Sequence, residues 1–366
     1  MHTLRQALES KRTADAEVIA RRFLGTAGDG PQARLALGVT FAQQGFYADA
    51  AAHFAEAGRQ APGNYVIDYN LGLALFRSQR LQEAASVLER TARYEDRAEL
   101  RHLLADVYEE SGRHVDALRE YETAVRIEPS NETYWFALSY ELLKHRTYEG
   151  AAATLESAVR NFPRSFRLHL ALGLTYFARR QYDSAVESLI LASDLEPAAV
   201  GPYRILAAAS SNRSRWGDAV LDRFRRLMEV APSTPWGPYL YALALEEGSS
   251  PGSETAETPP LAELEQLYRR SIALERGFAE AHFRLGRLYR KQGRLSEATE
   301  ELEAAVQGRS EFAEARYELA RVHLQLGRRD RAAEQMQRHR ELTEDERERR
   351  ERQADQVQQF ILLLED

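Results

Sequence analysis

The sequence predicts an all-α solenoid built from antiparallel helix hairpins. Three observations predict it. A 34-residue period runs through most of the 366 residues, small and bulky apolar residues alternate at fixed places inside each period, and Ala, Leu, Arg and Glu, all good helix formers, dominate the composition.

The period is read from a Leu followed by a small residue. The pairs are Leu37-Gly38, Leu71-Gly72, Leu104-Ala105, Leu138-Ser139, Leu172-Gly173, Leu206-Ala207, Leu285-Gly286 and Leu319-Ala320. Successive small residues stand 34, 33, 34, 34, 34, 79 and 34 apart, the long interval being two periods plus eleven residues. Twelve residues after each small residue stands Ala: Ala50, Ala84, Ala117, Ala151, Ala185, Ala219, Ala298 and Ala332. Four further on a bulky apolar residue recurs, as Phe54, Leu88, Tyr121, Leu155, Leu189, Leu302 and Met336. Pro62, Pro129, Pro163 and Pro197 close their units, and Pro232 comes one residue late.

Offsets of three and four residues share a helix face, so each unit reads as two helices. The small sites let two backbones approach, and the bulky residues fill the space beside them. Pro disfavours helix in the residue before it and suits the first turn of the next helix. A lone hairpin leaves an apolar face in water, and stacking on its neighbours buries it.

Taken in order, residues 1–30 read as a partial, capping unit in which Asp15-Ala16 aligns with Asp49-Ala50 one period later. Residues 31–346 read as an array of about nine repeats. The unit from about 200 slips by one residue near Phe224. The repeat at 235–278 is irregular: it opens with Trp236-Gly237-Pro238 and carries an insertion at 248–260 of Gly, Ser, Pro, Glu and Thr, which reads as a flexible surface loop, or as a lid or modification site. Residues 347–366 read as a C-terminal capping helix, charged at first and ending in Val357, Phe360, Ile361 and Leu364 on one face. That face covers the last repeat or docks on another copy of the chain.

These residues resemble the tetratricopeptide repeat (TPR) family, in the manner of bacterial TPR arrays. The resemblance covers residues 31–346 and implies a right-handed α-α superhelix whose first helices line a concave, partner-binding face. The family's aromatic early in the first helix is present as Trp135 and Tyr203, while His169 and His282 take the same place and are expected as packed core imidazoles. The clamp with which some members hold carboxylate tails needs Asn and Lys on successive first helices. Here Leu35, Val39, Asn70, Glu99 and Leu103 stand there, and only Asn70 fits.

The rest of the sequence mostly excludes. There is no Cys, so no disulfide or thiolate metal site. A net charge of −7 opposes bulk attraction to nucleic acid or to an anionic membrane. No apolar stretch is long enough to span a bilayer, and Met1-His2-Thr3-Leu4-Arg5-Gln6 has no signal-like core. The expected compartment is the cytoplasm, or the periplasm if a signal has been removed. Phosphate loops and the GxSxG, HExxH and EF-hand patterns are missing, so no catalytic residue and no cofactor is expected. Glu99, His102 and Asp106 share one face of a first helix, extended by Glu109. They could ligate a divalent metal, but read as a polar patch of the groove, and no metal is expected.

The expected function is therefore that of a scaffold or adaptor that holds a protein or peptide segment. The groove should be lined by Tyr69, Leu73, Phe76, His102, Phe136, Tyr140, Arg167, Leu170, Phe177, Arg204, Phe283, Arg287, Arg290, Tyr317 and Arg321. Aromatics and Arg are the types enriched at binding hot spots, and the arginines should meet acidic residues of the partner. The alternative is a structural subunit that self-assembles through the C-terminal apolar face.

Overall fold

The computed structural model describes residues 1–11, 13–212, 217–248, 260–352 and 360–364. Its regular elements are all helices; among the described residues there is no strand. No helix among them is long and apolar enough to cross a membrane. The chain divides into two compact units, Met1–Glu141 and Leu142–Asp366.

The first unit opens with α1 (His2–Glu9) and α2 (Thr13–Ala27), which pack on each other and on the next helix, α3 (Pro31–Gln43). Three hairpins follow: α3 with α4 (Tyr47–Gln60), α5 (Tyr65–Arg77) with α6 (Leu81–Thr91), and α7 (Ala98–Glu110) with α8 (His114–Ile127). The division between the units falls inside α9 (Glu132–Lys144). The second unit holds α10 (Tyr148–Asn161), α11 (Phe166–Ala178), α12 (Tyr182–Leu195), α13 (Val200–Ser211), α14 (Asp218–Val230), α15 (Trp236–Gly248), α16 (Leu261–Leu274), α17 (Ala279–Lys291), α18 (Leu295–Gly308), α19 (Ala313–Gln325) and α20 (Arg329–Arg352). A 3-10 turn, Leu362–Leu364, packs on α11. The insertion expected at 248–260 lies, apart from its ends, outside the described residues, as does Val357.

The small–bulky alternation interlocks within each hairpin. A Cβ on Gly173 would lie 2.6 Å from Leu189 Cγ, one on Gly286 would lie 2.7 Å from Leu302 Cγ, and Gly38 and Gly72 face Phe54 and Leu88 more tightly still. The bulky partner stands sixteen residues on in every case. Phe54, Leu88, Leu189 and Leu302 are all buried, and burying a Leu or Phe side chain contributes roughly 1.5–3 kcal/mol.

The turn between paired helices is also periodic. Seven residues after the small residue the backbone takes positive φ, at Gly45, Gln79, Gly112, Arg146, Arg180, Gly293 and Gly327. Around Gly45, its N–H bonds Ala42 O at 3.0 Å and Phe46 N–H bonds Phe41 O at 3.0 Å. The same pair of bonds recurs at Arg180, from Arg180 N–H to Phe177 O and from Gln181 N–H to Tyr176 O. This is the left-handed helix end that satisfies the last carbonyls. Gln79, Arg146 and Arg180 adopt it without the freedom of glycine.

A third recurrent device ties five of the first helices, α9, α11, α13, α17 and α19, to the turn before them. Trp135 Nε1 donates to Pro129 O at 2.9 Å, Tyr203 OH to Pro197 O at 2.8 Å, and Arg316 Nε to Ser310 O at 3.2 Å. His169 Nε2 meets Pro163 O at 3.0 Å and His282 Nε2 meets Arg276 O at 2.9 Å. Each donor stands four residues before its small residue and six after its acceptor. The two imidazoles are thus buried and packed as expected, but they are also hydrogen-bond donors to the inter-repeat turn.

Candidate partner-binding site

First helices of neighbouring hairpins touch one another: α3 meets α5 and α5 meets α7 in the first unit, while α11, α13 and α15 follow in series and α17 meets α19 in the second. They form rows over α3–α5–α7, α11–α13–α15 and α17–α19, and the expected groove residues of α5, α7, α11, α13, α17 and α19 stand on these rows.

In the first unit, Tyr69, Leu73, Phe76, His102 and Tyr140 are half-buried and Phe136 is buried. Tyr65 stacks on Tyr69 with ring centroids 5.8 Å apart, and the Arg97 guanidinium covers Tyr65 at 4.2 Å. Burial pushes the Tyr69 hydroxyl's pKa upward. Phe136 stacks on Tyr140 at 6.1 Å.

The acidic trio does not converge. Glu99 Oε1 accepts from Tyr65 OH at 2.9 Å, which draws it toward α5. Asp106 accepts from Tyr121 OH at 2.7 Å and lies 3.5 Å from His102 Nδ1, while His102 packs against the rings of Tyr121 and Tyr134. Burial raises the Asp106 carboxyl's pKa, with His102 and the Tyr121 hydrogen bond opposing. A different set does converge in this unit: Glu109, His114 and Glu141 place one donor atom each within 4.8 Å of one another, with Glu109 Oε2 at 2.5 Å from His114 Nδ1. His114 enters because the tight turn after α7 returns the chain beside Glu109, which helical spacing alone does not foresee.

In the second unit, Leu170 and Phe177 on α11 are buried, and Arg167 is exposed. The chain's own end covers part of this face. Phe360 meets Phe177 edge-on at 5.7 Å, and a Cβ on Gly201 of α13 would lie 3.8 Å from Leu363 Cβ and 3.9 Å from Leu170 Cδ2. Ile361 and Leu364, like Phe360 assigned from the sequence to a cap or a docking face, are buried here against their own chain. Arg204 lays its guanidinium 4.5 Å over the Trp236 ring, and burial lowers its pKa.

Further along the same unit, three arginines meet one carboxylate. Arg290 Nε lies 2.8 Å, Arg321 Nη1 3.4 Å and Arg287 Nε 4.0 Å from the oxygens of Glu318, which is 8% exposed. Three guanidinium charges less one carboxylate leave a surplus of two positive charges among these four side chains. Arg287 lies 5.5 Å over Phe283 and Arg321 5.7 Å over Tyr317, which is 40% exposed. Phe283 packs on Phe312 at 4.8 Å.

The family model for the tetratricopeptide repeat matches residues 5–65, 69–132, 136–199, 261–310 and 283–346. The chain belongs to the tetratricopeptide repeat family. Among solved structures, the TPR array is similar to the C-terminal part of a TPR repeat-containing protein from Cytophaga hutchinsonii, with a TM-score of 0.54 and 14% identity over 68% of this chain and 97% of that one. It is also similar to YrrB, described as a TPR protein with an unusual peptide-binding site, at a TM-score of 0.41 and 16% identity over 49% of this chain and 92% of that one. Yeast Tom70 matches at a TM-score of 0.45 and 14% identity over 98% of this chain and 86% of that one. A comparison with curated proteins gives no match. The likeness to the Cytophaga hutchinsonii structure is one of fold alone, and what the array binds is a question for its own side chains.

Proposed function

We propose that this TPR array is a non-catalytic scaffold that holds a partner segment on its first-helix layer, the partner supplying apolar residues and carboxylates. The observation that carries this reading is the convergence of Arg287, Arg290 and Arg321 on Glu318 beside the rings of Phe283 and Tyr317. A stability role needs one arginine for one carboxylate. Two further cations, one of them 43% exposed at its side chain, raise the local positive potential and offer planar donors for bidentate carboxylate contacts. Aromatic surface next to guanidinium groups is the combination that dominates interface energetics.

The test is selection from a displayed random-peptide library on the full chain. Selected peptides should be rich in Asp or Glu next to apolar residues. Their affinity should fall about tenfold or more in Arg287→Ala/Arg321→Ala with the helical circular-dichroism signal unchanged, a loss of about 1.4 kcal/mol or more. Peptides without acidic residues, or equal binding to the double variant, would remove the reading. Self-assembly through the C-terminal apolar residues is the competing role; a monomer at all concentrations in sedimentation velocity would eliminate it.

A further inference from the structure

The C-terminal segment Phe360–Leu364 behaves in this structure as a ligand. It lies on α11 and α13. Phe360 sets its ring edge-on to Phe177, with an interplanar angle of 81°. Ile361 is 3% and Leu364 5% exposed, while Leu362 between them is 59% exposed. Leu363 packs where Gly201 presents no side chain, next to Leu170. One face of a single helical turn is therefore buried and the other is in water, which is how a short amphipathic helix sits in a receiving groove.

We infer that the α11–α13 face is a receptor for a short apolar helical turn carrying an aromatic residue and, four positions on, a Leu, and that the chain's own Phe360–Leu364 is its built-in competitor. The inference rests on the reading of the first-helix layer as a binding surface, and it names the ligand class of one part of that surface. The seated segment supplies the specification: Phe177 takes an aromatic edge, and the surface of Gly201 and Leu170 takes a branched aliphatic side chain. A ligand tethered to its receptor acts at a high effective concentration, so even weak docking keeps the site filled. An external segment of the same pattern then binds with an apparent affinity lowered by the small fraction of open sites. The occupant is a segment of another protein, and the tail of a second copy is the alternative outcome that one arm of the experiment detects.

The probe is a fluorescein-labelled synthetic peptide with the sequence of residues 357–366, titrated by fluorescence polarisation into the full chain. Phe360→Ala/Leu364→Ala, which empties the site, should bind it about tenfold or more tightly than wild type. Leu362→Ala, an exposed control, should bind like wild type. Phe177→Ala added to the double variant should abolish binding. In wild type, exchange of the amides of 360–364 with deuterium should be slow, and should speed up when unlabelled peptide is added in excess. Equal binding by wild type and the double variant, or no binding by either, overturns the inference. A dimer in sedimentation velocity that dissociates in the double variant overturns the built-in competitor in favour of a second copy's tail. Neither failure touches the arginine patch, whose own selection experiment decides the scaffold reading independently.

Discussion

Replacing Glu318 by Gln removes the one anion that three arginines share while keeping the side chain's shape. The nearest contact, from Arg290 Nε, is 2.8 Å, and the others are 3.4 Å and 4.0 Å. Arg290 Nε is a close ion-pair contact without hydrogen-bond alignment, while Arg321 Nη1 donates to Oε1. Removing the charge of one partner from a fully buried pair costs about 3–5 kcal/mol, and the longer contacts, made by more solvated cations, contribute about 0–1 kcal/mol each. Losing them, and leaving the cations to repel one another, should destabilise the α17–α19 region by about 2–4 kcal/mol. The assay is hydrogen exchange by mass spectrometry on α17 and α19, because a repeat array opens locally rather than all at once. Salt supplies a check of sign. In wild type added NaCl screens an attraction, and in the variant it screens a repulsion, so the deficit should narrow as salt rises. The variant should also hold the selected acidic peptides more tightly, since their internal competitor is gone. A loss below about 0.5 kcal/mol, the range of an ordinary surface change, or a deficit indifferent to salt, would refute the claim that Glu318 is the hub.

Three more perturbations test the periodic devices. Leu302→Ala should cost about 2–5 kcal/mol and Gly286→Ala about 1–3 kcal/mol through overpacking, but the double variant should be less destabilised than their sum, because the new methyl refills part of the cavity; strict additivity in urea midpoints would show that the two residues do not interlock. His282 meets two acceptors, Arg276 O and, at 2.6 Å, Glu301 Oε2, which requires a proton on both ring nitrogens. Burial pulls its pKa down, but Glu301 and the Arg276 carbonyl outweigh it, so the folded pKa is raised. Its contribution should be complete below the unfolded value of about 6.5 and be lost as pH rises through the higher folded value; an imidazole NMR titration with a midpoint below about 6.5 contradicts this. Arg180→Gly relieves a left-handed backbone at φ 59° and should raise stability by about 0.5–1 kcal/mol, whereas Gly293→Ala should lower it; a destabilised Arg180→Gly would mean that the arginine's contacts outweigh its backbone strain.

The fold was legible because its constraints are local and recur. Gly173 and Leu189 sit sixteen residues apart in sequence and in contact in space, so a hairpin writes its packing at a fixed offset. The inter-repeat tie was harder to see, because Trp135, His169, Tyr203, His282 and Arg316 share a geometry and not a residue type. A search for a donor four before the small residue would find them; a search for an aromatic stops at two. Helical spacing put Glu99, His102 and Asp106 on one face, but the hydroxyls of Tyr65 and Tyr121 decide where the carboxylates turn, and those tyrosines come from neighbouring helices. The apolar end of the chain was visible as a face needing cover. Its place was not: the expectation put it on the last repeat or on another copy, whereas it lies on α11 and α13, since a tethered segment can reach any part of its own unit and no period constrains it.

The second unit thus offers two chemistries on its first-helix layer, an apolar and aromatic one at α11 and α13 and a cationic one at α17 and α19. The whole chain carries −7, so net charge would repel an acidic partner at long range, and only the local field of Arg287, Arg290 and Arg321 attracts it near contact. Attraction of that kind acts within about a Debye length, about 8 Å at physiological salt. Under the proposed function it would orient a partner that has already come close and set the register in which apolar side chains meet the layer, so that affinity would depend on the apolar contacts and choice of partner on the arginines. A segment with the right hydrophobic turn and no carboxylates should bind the emptied α11–α13 site with little sensitivity to salt. A segment with both features should lose affinity steeply as salt rises, and more steeply in wild type than in Arg287→Ala/Arg321→Ala.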